Sequence, residues 1–291
     1  MSTTAESYLV GLIGDGTTRS LTPALHEEEA RHHGIDYLYR PIDLGVIARP
    51  PEDVGHLLRA GRDLGFNAFN ITHPCKQVAI PHLDELSPEA AALGAVNTVL
   101  IRDRRLVGHN TDYSGFTAAM QDGLPDITAD RVVQLGAGGA GSAVAAALLA
   151  LGAKSLGVYD LDAARSGELA RSLEAAFPRH EVVALRPDSL PDALASADGI
   201  VNTTPVGMNL HPGTPIDTRL IRPSQWVAEI IYVPLETELV EAARAKGCRV
   251  LDGGHMAVGQ AVDAFRLITG LDPDRTRMRS HFLALTKGTQ G

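Results

Sequence analysis

The sequence has few cysteines, no long apolar run and no excess of basic charge. Its 291 residues include two cysteines, Cys75 and Cys248, and no C-x-x-C pair. Two thiols so far apart favour a reducing cytoplasm over a disulfide framework. No apolar run approaches the length of a membrane span, and the N-terminus lacks the basic flank and apolar core of a signal peptide. We therefore expect a cytoplasmic protein without a membrane partner.

The charge balance and the histidines exclude two further classes of protein. The formal net charge is −9, whereas a nucleic-acid surface needs clustered Lys and Arg, so we expect no nucleic-acid partner. The run Arg275-Thr-Arg-Met-Arg279 lies beside Asp272 and Asp274, which is typical of a solvated helix start. The 11 histidines form no H-E-x-x-H or His/Cys cluster, and His32-His33 lies at a polar helix end. We predict no metal site.

Length and pattern together predict a two-domain α/β protein. A chain of 291 residues, 44% hydrophobic and 21% charged, has the composition of a globular protein and is long enough for two cores. Strands alternate with helices, which indicates a mostly parallel sheet covered on both faces, with a domain boundary near residue 112. The predicted strands are 8–13, 37–42, 66–71, a hairpin of 95–101 and 106–109, and then 132–135, 156–159, 181–185, 199–203, 226–231 and 248–251. The last six are the number in a complete dinucleotide-binding fold.

A glycine-rich stretch follows the first of those six strands. It reads Arg131-Val-Val-Gln-Leu-Gly-Ala-Gly-Gly-Ala-Gly-Ser142, and a helical Ala/Leu segment comes next. Gly136 would form the tight turn, Gly138 would let the backbone approach a pyrophosphate, and Gly141 would let the helix pack closely on the strand. A glycine-rich packing turn is the alternative. The position between strand and helix, with Asp160 24 residues past Gly136, favours a dinucleotide site.

Asp160 also bears on the choice of cofactor. A carboxylate at the end of the second strand accepts hydrogen bonds from the adenosine ribose and repels a 2′-phosphate. Asp162 adds a second negative charge, while Arg165 is a possible phosphate clamp with acids close by. The pattern predicts NAD rather than NADP, with a loop-capping role for Asp160 as the alternative.

Polar side chains outside the glycine stretch have the composition of a site for a hydroxyl-rich substrate. An enzyme that oxidises an alcohol needs a group that accepts the hydroxyl proton as hydride leaves. The clusters combine hydroxyls and amides with one lysine and one aspartate, and all but the first follow predicted strands. They are Ser20 and Thr22; Asn70, Thr72 and Lys76; Asn97; and Asn110 and Asp112.

Eight motifs in chain order carry a family resemblance. They are Ser20-x-Thr22-Pro23-x-x-His26, Asn70-Ile-Thr72-His-Pro-Cys-Lys76, Gly94-Ala-Val-Asn97-Thr, Gly108-His-Asn110-Thr-Asp112, Gly136-Ala-Gly138-Gly139-x-Gly141, Asn202-Thr-Thr-Pro-x-Gly207-Met208, Tyr232-x-Pro234 and Gln260-Ala-x-x-Ala-Phe265. The sequence resembles the shikimate dehydrogenase family, specifically its NAD-using quinate/shikimate dehydrogenase branch. The similarity runs from about residue 8 to 285.

The resemblance implies roles for particular residues. Lys76 matches the catalytic lysine and Asp112 the aspartate paired with it; a plain structural ion pair is the alternative. Substrate-binding positions are Ser20, Thr22, Asn70, Thr72, Lys76, Asn97, Asp112, Tyr232 and Gln260. Cofactor-binding positions are Gly136, Ala137, Gly138, Gly139, Ala140, Gly141, Asp160, Arg165, Thr204, Met208, Ile230 and Gly253. The family's C-terminal helices return to the first domain, which implies a discontinuous substrate domain, 1–111 plus 255–291, around a Rossmann NAD-binding domain, 112–254.

Three departures from the common family pattern refine the expectation. Thr22 stands where many members carry a second serine, and Cys75 replaces an aromatic residue. Asp160-Leu-Asp162 replaces the Asn-Arg-Thr clamp of NADP-using members, which favours NAD and catabolic quinate oxidation over aromatic biosynthesis.

Several alternatives stay open. They are an NADP-dependent biosynthetic shikimate dehydrogenase, a non-catalytic quinate or NAD sensor, and a Rossmann enzyme with an unrelated substrate. Quinate and shikimate are not ranked as substrates, because pocket differences this small are worth only ~1–3 kcal/mol. We expect a monomer or a homodimer.

Overall fold

The computed structural model describes residues 7–288, which form two compact units. Unit 1 contains residues 7–111 and 258–288, and unit 2 contains residues 112–257. The second boundary falls inside a helix, Gly253–Thr269. No helix in the described part of the chain is long and apolar enough to cross a membrane.

Unit 1 is built on a six-stranded mixed sheet in the order β2-β1-β3-β5-β6-β4. Pairs β1–β2, β1–β3 and β4–β6 are parallel, while β3–β5 and β5–β6 are antiparallel. The predicted hairpin is the pair β5–β6. The strands are β1 (Ser7–Gly14), β2 (Asp36–Asp43), β3 (Ala68–Ile71), β4 (Glu85–Leu86), β5 (Thr98–Arg102) and β6 (Arg105–His109).

Helices and short 3-10 turns connect the strands of unit 1. The core beneath them contains Ile13, Leu58, Phe69 and Leu106, each at most 1% exposed. The helices are α1 (Thr22–His32), α2 (Val54–Asp63), α3 (Cys75–Val78), α4 (Pro88–Leu93) and α11 (Arg275–Gly288), with 3-10 turns at Thr17–Arg19, Pro51–Asp53 and Ile80–His82.

The structure corrects the predictions for the segment between 77 and 94. Helix α3 ends at Val78, and a 3-10 turn at Ile80–His82 follows, because the ring of Pro81 is incompatible with a continuing helix. Neither β4 nor α4 was predicted. Ser87 begins α4 by accepting a hydrogen bond from Ala90 N, so the Ser-Pro-Glu sequence there is an N-cap signal.

The arginine-rich run was expected to be a solvated helix start, and this was wrong for Arg277. Its guanidinium donates to both oxygens of Glu29, which is 1% exposed in α1, at 2.8 and 2.6 Å. Asp274 N donates to the same carboxylate. His33 Nε2 also lies 3.2 Å from Glu29 Oε1, and the His33 side chain is 23% exposed. A buried anion therefore ties α11 to α1.

Unit 2 is a doubly wound parallel sheet in the order β12-β11-β10-β7-β8-β9. This is the strand order of a complete dinucleotide-binding fold, and the six predicted strands are confirmed. The strands are β7 (Arg131–Leu135), β8 (Ser155–Tyr159), β9 (Glu181–Ala184), β10 (Gly199–Asn202), β11 (Trp226–Glu229) and β12 (Arg249–Leu251). The helices are α5 (Thr111–Gly123), α6 (Gly139–Ala150), α7 (Ala163–Ala176), α8 (Leu190–Ser196) and α9 (Glu238–Ala245). Helix α10 (Gly253–Thr269) begins in unit 2, and its residues 258–269 belong to unit 1.

Candidate functional site

The glycine turn lies between β7 and α6, and its three glycines have different surroundings. Gly136 has φ 101°, and a Cβ there would lie 2.8 Å from Thr203 Oγ1. A Cβ on Gly141 would lie 2.7 Å from Gly136 O. Gly138 is exposed, and a Cβ there would meet nothing within 4 Å. The protein itself therefore requires glycine at 136 and 141, whereas at 138 it leaves open space beside the turn.

Two buried side chains brace this turn, and sequence analysis missed both. Gln134 Nε2 donates to Gly136 O and Gly141 O, each at 2.9 Å. Thr203 Oγ1 donates to Leu135 O and Gly136 O at 2.8 and 2.9 Å. Gln134 is a polar residue inside an otherwise apolar strand, which is the sequence signal that was available.

The turn fits a dinucleotide pyrophosphate. Gly138 is the N-cap of the 12-residue helix α6, and no side chain accepts a hydrogen bond at this cap. N–H groups at such a helix start bind phosphate oxygens, and the helix dipole favours the negative charge. Gly139, Ala140 and Gly141 form the first turn of α6. The small side chains there let a phosphate approach the backbone.

Asp160 follows β8 and is bonded to the same turn. Its Oδ2 accepts from Ala137 N at 2.8 Å, and its Oδ1 accepts from Asp162 N at 2.9 Å. Asp160 therefore caps the loop, and its partly exposed carboxylate oxygens have further lone pairs for ribose hydroxyls. Arg165 is 67% exposed, with Nε 3.5 Å from Asp162 Oδ2.

The loop after β10 carries Thr204 and Met208. Thr204 donates through both N and Oγ1 to Asn202 Oδ1, at 3.0 and 2.7 Å. Met208 is 39% exposed. Ile230 and Tyr232 lie after the adjacent strand, β11, and both are partly exposed. Gly253, at the start of α10, is in contact with that segment, because a Cβ there would overlap Ile231 O.

Glu229 ends β11 and was not predicted as a functional residue. It is 1% exposed and accepts hydrogen bonds from Asn202 Nδ2, Ile231 N and Thr237 Oγ1. Burial raises the pKa of the Glu229 carboxyl to about 7, although these donors oppose the shift. A carboxylate at the end of an apolar strand was the signal for it.

In unit 1, Ser20 and Thr22 lie at the start of α1. Ser20 Oγ donates to Thr22 Oγ1 at 3.1 Å, and Thr22 N donates to Ser20 Oγ at 3.2 Å. The loop before them is held by Asp43, whose Oδ2 accepts from Thr18 N and Thr18 Oγ1 at 3.2 Å. Asp43 is 6% exposed, and its sequence position did not predict this contact.

Asn70 and Asn97 belong to one buried hydrogen-bond network. The register sets Asn70 opposite Thr98, and Asn70 Nδ2 donates to Thr98 Oγ1 at 2.8 Å. Tyr39 OH donates to Asn70 Oδ1 at 2.5 Å. Asn97 Oδ1 accepts from Thr111 N at 2.7 Å. Asn97 Nδ2 lies 3.5 Å from Gln260 Oε1, so helix α10 does bring Gln260 to Asn97.

The lysine and the aspartate each have a defined local position. Lys76 is partly exposed in the short helix α3, and its backbone oxygen accepts from Val96 N at 2.9 Å, next to Asn97. Thr72 N donates to Ile13 O at 2.9 Å, which fixes the chain after β3. Asp112 is 1% exposed and follows Thr111 in the first turn of α5. Cys75 is fully buried, as a small packed residue would be.

Unit 2 therefore has the doubly wound parallel sheet, the braced glycine turn and the acid after the next strand that define a dinucleotide-binding protein of the Rossmann type. The model of the shikimate dehydrogenase substrate binding domain matches residues 12–99. A shikimate dehydrogenase (NADP(+)) of Pseudarthrobacter chlorophenolicus is 60% identical over 98% of this chain and 97% of that protein. A quinate/shikimate dehydrogenase (NAD(+)) of Corynebacterium efficiens is 50% identical over 96% of this chain and 99% of that protein.

A solved structure adds the fold of both units. Quinate dehydrogenase from Corynebacterium glutamicum in complex with NAD matches with a TM-score of 0.89 and 49% identity, over 96% of this chain and 99% of that chain. The chain belongs to the shikimate dehydrogenase family. It is therefore an oxidoreductase that uses a nicotinamide dinucleotide.

Proposed function

We propose that this protein oxidises quinate to 3-dehydroquinate and shikimate to 3-dehydroshikimate with NAD as hydride acceptor. The observation that carries the choice of NAD is the Asp160 carboxylate at the end of β8, bonded to the glycine turn through Ala137 N. This position favours hydroxyls over a phosphate on the adenosine ribose. Relatives named as NAD-using and as NADP-using are both close, so residue chemistry supports the choice more than identity does.

Unit 1 is the substrate domain in this proposal. Ser20, Thr22, Thr72, Asn97 and Gln260 bind the carboxylate and ring hydroxyls, because hydroxyl and amide groups both donate and accept. Tyr232, in unit 2, is a further substrate-binding position that the family resemblance implies. Asn70 contributes by positioning, since its amide bonds to Tyr39 and Thr98.

Lys76 is the general base that accepts the proton of the substrate hydroxyl. Lys76 would accept the O–H proton of the carbinol as the carbon loses its hydride and the carbonyl forms. Lys76 then returns the proton to solvent. Asp112, the aspartate that the family resemblance pairs with Lys76, has the role of orienting the lysine. When bound, NAD supplies only the hydride acceptor.

The second candidate is an NADP-dependent shikimate dehydrogenase. It is favoured by 60% identity to a relative of that name. In this chain Arg165, the one candidate phosphate clamp considered above, lies beside Asp162, so a 2′-phosphate would have to compete with that carboxylate. This competition and Asp160 together favour NAD.

Steady-state kinetics test the proposal with both substrates and both cofactors. We expect a higher kcat/KM with NAD than with NADP. Lys76→Ala should lower kcat by at least about 100-fold, the usual contribution of a general base, while NADH affinity is unchanged. Lys154→Ala is the matched control, because Lys154 is 74% exposed and pairs with Asp130 on the surface.

The outcomes separate the alternatives. A preference for NADP would favour the biosynthetic enzyme, and near-normal turnover of Lys76→Ala would remove Lys76 from the mechanism. Binding of NADH without oxidation of either substrate would favour a sensor or another substrate.

A further inference from the structure

A hydrogen-bond network at the carboxyl ends of β10 and β11 has no part in the function proposed above. Its centre is Glu229, buried to 1% exposure, and the strand register sets it beside Asn202, which is 0% exposed. Asn202 Nδ2 lies 3.0 Å from each carboxylate oxygen. Ile231 N donates at 3.0 Å and Thr237 Oγ1 at 3.1 Å. All of these groups donate, so they match an ionised carboxylate.

The network continues from Glu229 to the loop after β10. Because the Asn202 amide nitrogen faces Glu229, its oxygen Oδ1 must face the other way. There it accepts from Thr204 N and Thr204 Oγ1. Asn202 Nδ2 also donates to Val206 O at 3.1 Å. The carboxylate therefore fixes the orientation of the amide, and the amide fixes the Thr204 loop.

The same carboxylate holds the segment after β11. It bonds Ile231 N on one side, while the start of α10 packs against the backbone of Ile231 at Gly253, where a Cβ would overlap Ile231 O. A Cβ on Gly207 would lie 3.2 Å from Ile231 Cδ1 and 3.3 Å from Thr237 Cβ. The two loops are thus packed together around Glu229.

We infer that Glu229 is a positioning residue for the cofactor, acting through Asn202 on Thr204 and through Ile231 on the segment of Ile230 and Tyr232. This inference rests on the proposed function only for the assignment of those loops to the cofactor. A purely structural role is the competing explanation. That explanation predicts that any destabilising substitution in unit 2 lowers NADH affinity in proportion to the stability it removes.

The test is a charge-exchange cycle, measured as the dissociation constant for NADH at a pH well above the pKa of Glu229. In Glu229→Gln, the new amide nitrogen faces the amide nitrogen of Asn202. In Asn202→Asp, the new carboxylate faces the carboxylate of Glu229. Each should weaken NADH binding by about tenfold or more, since each breaks a buried charge-assisted hydrogen bond. The double variant restores a donor facing an acceptor and should recover part of the loss, the bond to Val206 O remaining absent.

Gln225→Glu is the matched control. Gln225 precedes β11, is 2% exposed, and its Nε2 donates to Leu194 O and Ala197 O, at the opposite end of the strand from Glu229. This substitution should lower the melting temperature without changing NADH affinity.

Several outcomes would overturn the inference. They are unchanged NADH affinity in Glu229→Gln, a double variant no better than either single variant, and an equal loss of affinity in Gln225→Glu. If Glu229→Gln does not fold, Glu229→Asp replaces it, because its shorter side chain keeps the charge but moves it away from Asn202. Normal NADH affinity in Glu229→Asp would also overturn the inference. Failure of the wild type to oxidise quinate and shikimate would reject the proposed function alone, because NADH affinity is measured without substrate.

Discussion

Replacing Asp160 by asparagine should change the choice of cofactor by about two orders of magnitude, and the structure separates this effect into parts. The carboxylate accepts from Ala137 N at 2.8 Å and from Asp162 N at 2.9 Å. Asparagine has one acceptor oxygen for Ala137 N, and its NH2 group then faces the Asp162 N–H. At this partly exposed site the lost bond is worth about 1 kcal/mol, which weakens NAD and NADP binding alike by about fivefold.

Two further terms act on the preference itself. A neutral amide is a weaker acceptor for the ribose hydroxyls of NAD than a carboxylate, a loss of about 1 kcal/mol. It also removes a repulsion from the 2′-phosphate of NADP. For two unit charges 4 Å apart, the repulsion is about 1 kcal/mol in water and about 4 kcal/mol near a protein surface. Because Asp160 is partly exposed, we take an intermediate repulsion of about 2 kcal/mol. The sum, about 3 kcal/mol, is roughly a hundredfold change in the ratio of kcat/KM values.

The assay compares kcat/KM for NAD and NADP in the wild type, Asp160→Asn and Asp162→Asn. Asp162 is the matched control, because it is exposed, caps α7 through Ala164 N at 3.0 Å and lies beside Arg165. We expect its substitution to change the ratio by less than about tenfold, as for exposed charges in general. An unchanged ratio in Asp160→Asn, or an equal change in both variants, would refute selection by the Asp160 carboxylate.

Two further predictions concern stability. Arg277→Ala should lower the free energy of unfolding, measured by urea denaturation, by about 2–4 kcal/mol, because it leaves the buried Glu29 carboxylate without its main partner. The Arg277 side chain is 32% exposed. Arg31→Ala, at the exposed pair with Glu28, is the control, and an equal loss of stability in both variants would contradict the reasoning. Burial lowers the pKa of His26 from 6.5 to about 3, so the unfolded chain binds the proton first and stability falls as pH falls from 6.5 towards 3. His26→Gln keeps a bonding partner for Tyr37 OH but has no titrating ring, so its unfolding free energy should fall less steeply with acid; parallel pH profiles would contradict this.

The dinucleotide turn was predictable because its signal is local. A strand, three glycines, a helix and Asp160 lie within about one βαβ unit, so the motif is recognised without any contact between residues distant in sequence. The six strands of unit 2 were predictable for a related reason, since each is a short apolar run between turn signals.

The partners of Asn202 and Asn70 were not predictable because they depend on strand register. Asn202 meets Glu229, and Asn70 meets Thr98, only once parallel and antiparallel neighbours are aligned. Their sequence signal was a polar residue within or at the end of a buried strand, and that signal names a position without naming its partner. Arg277 was misread for a similar reason, because its partner Glu29 lies 248 residues away in sequence.

Different neighbours explain the three glycines of the turn, Gly136, Gly138 and Gly141. Glycine at 136 and 141 is demanded by neighbouring atoms of the protein, Thr203 and the Gly136 carbonyl, and would be kept in any descendant that preserved the sheet. Glycine at 138 has no such neighbour, so only a bound molecule gives a reason to keep it. A lineage that lost its nucleotide but retained its architecture would therefore drift first at position 138.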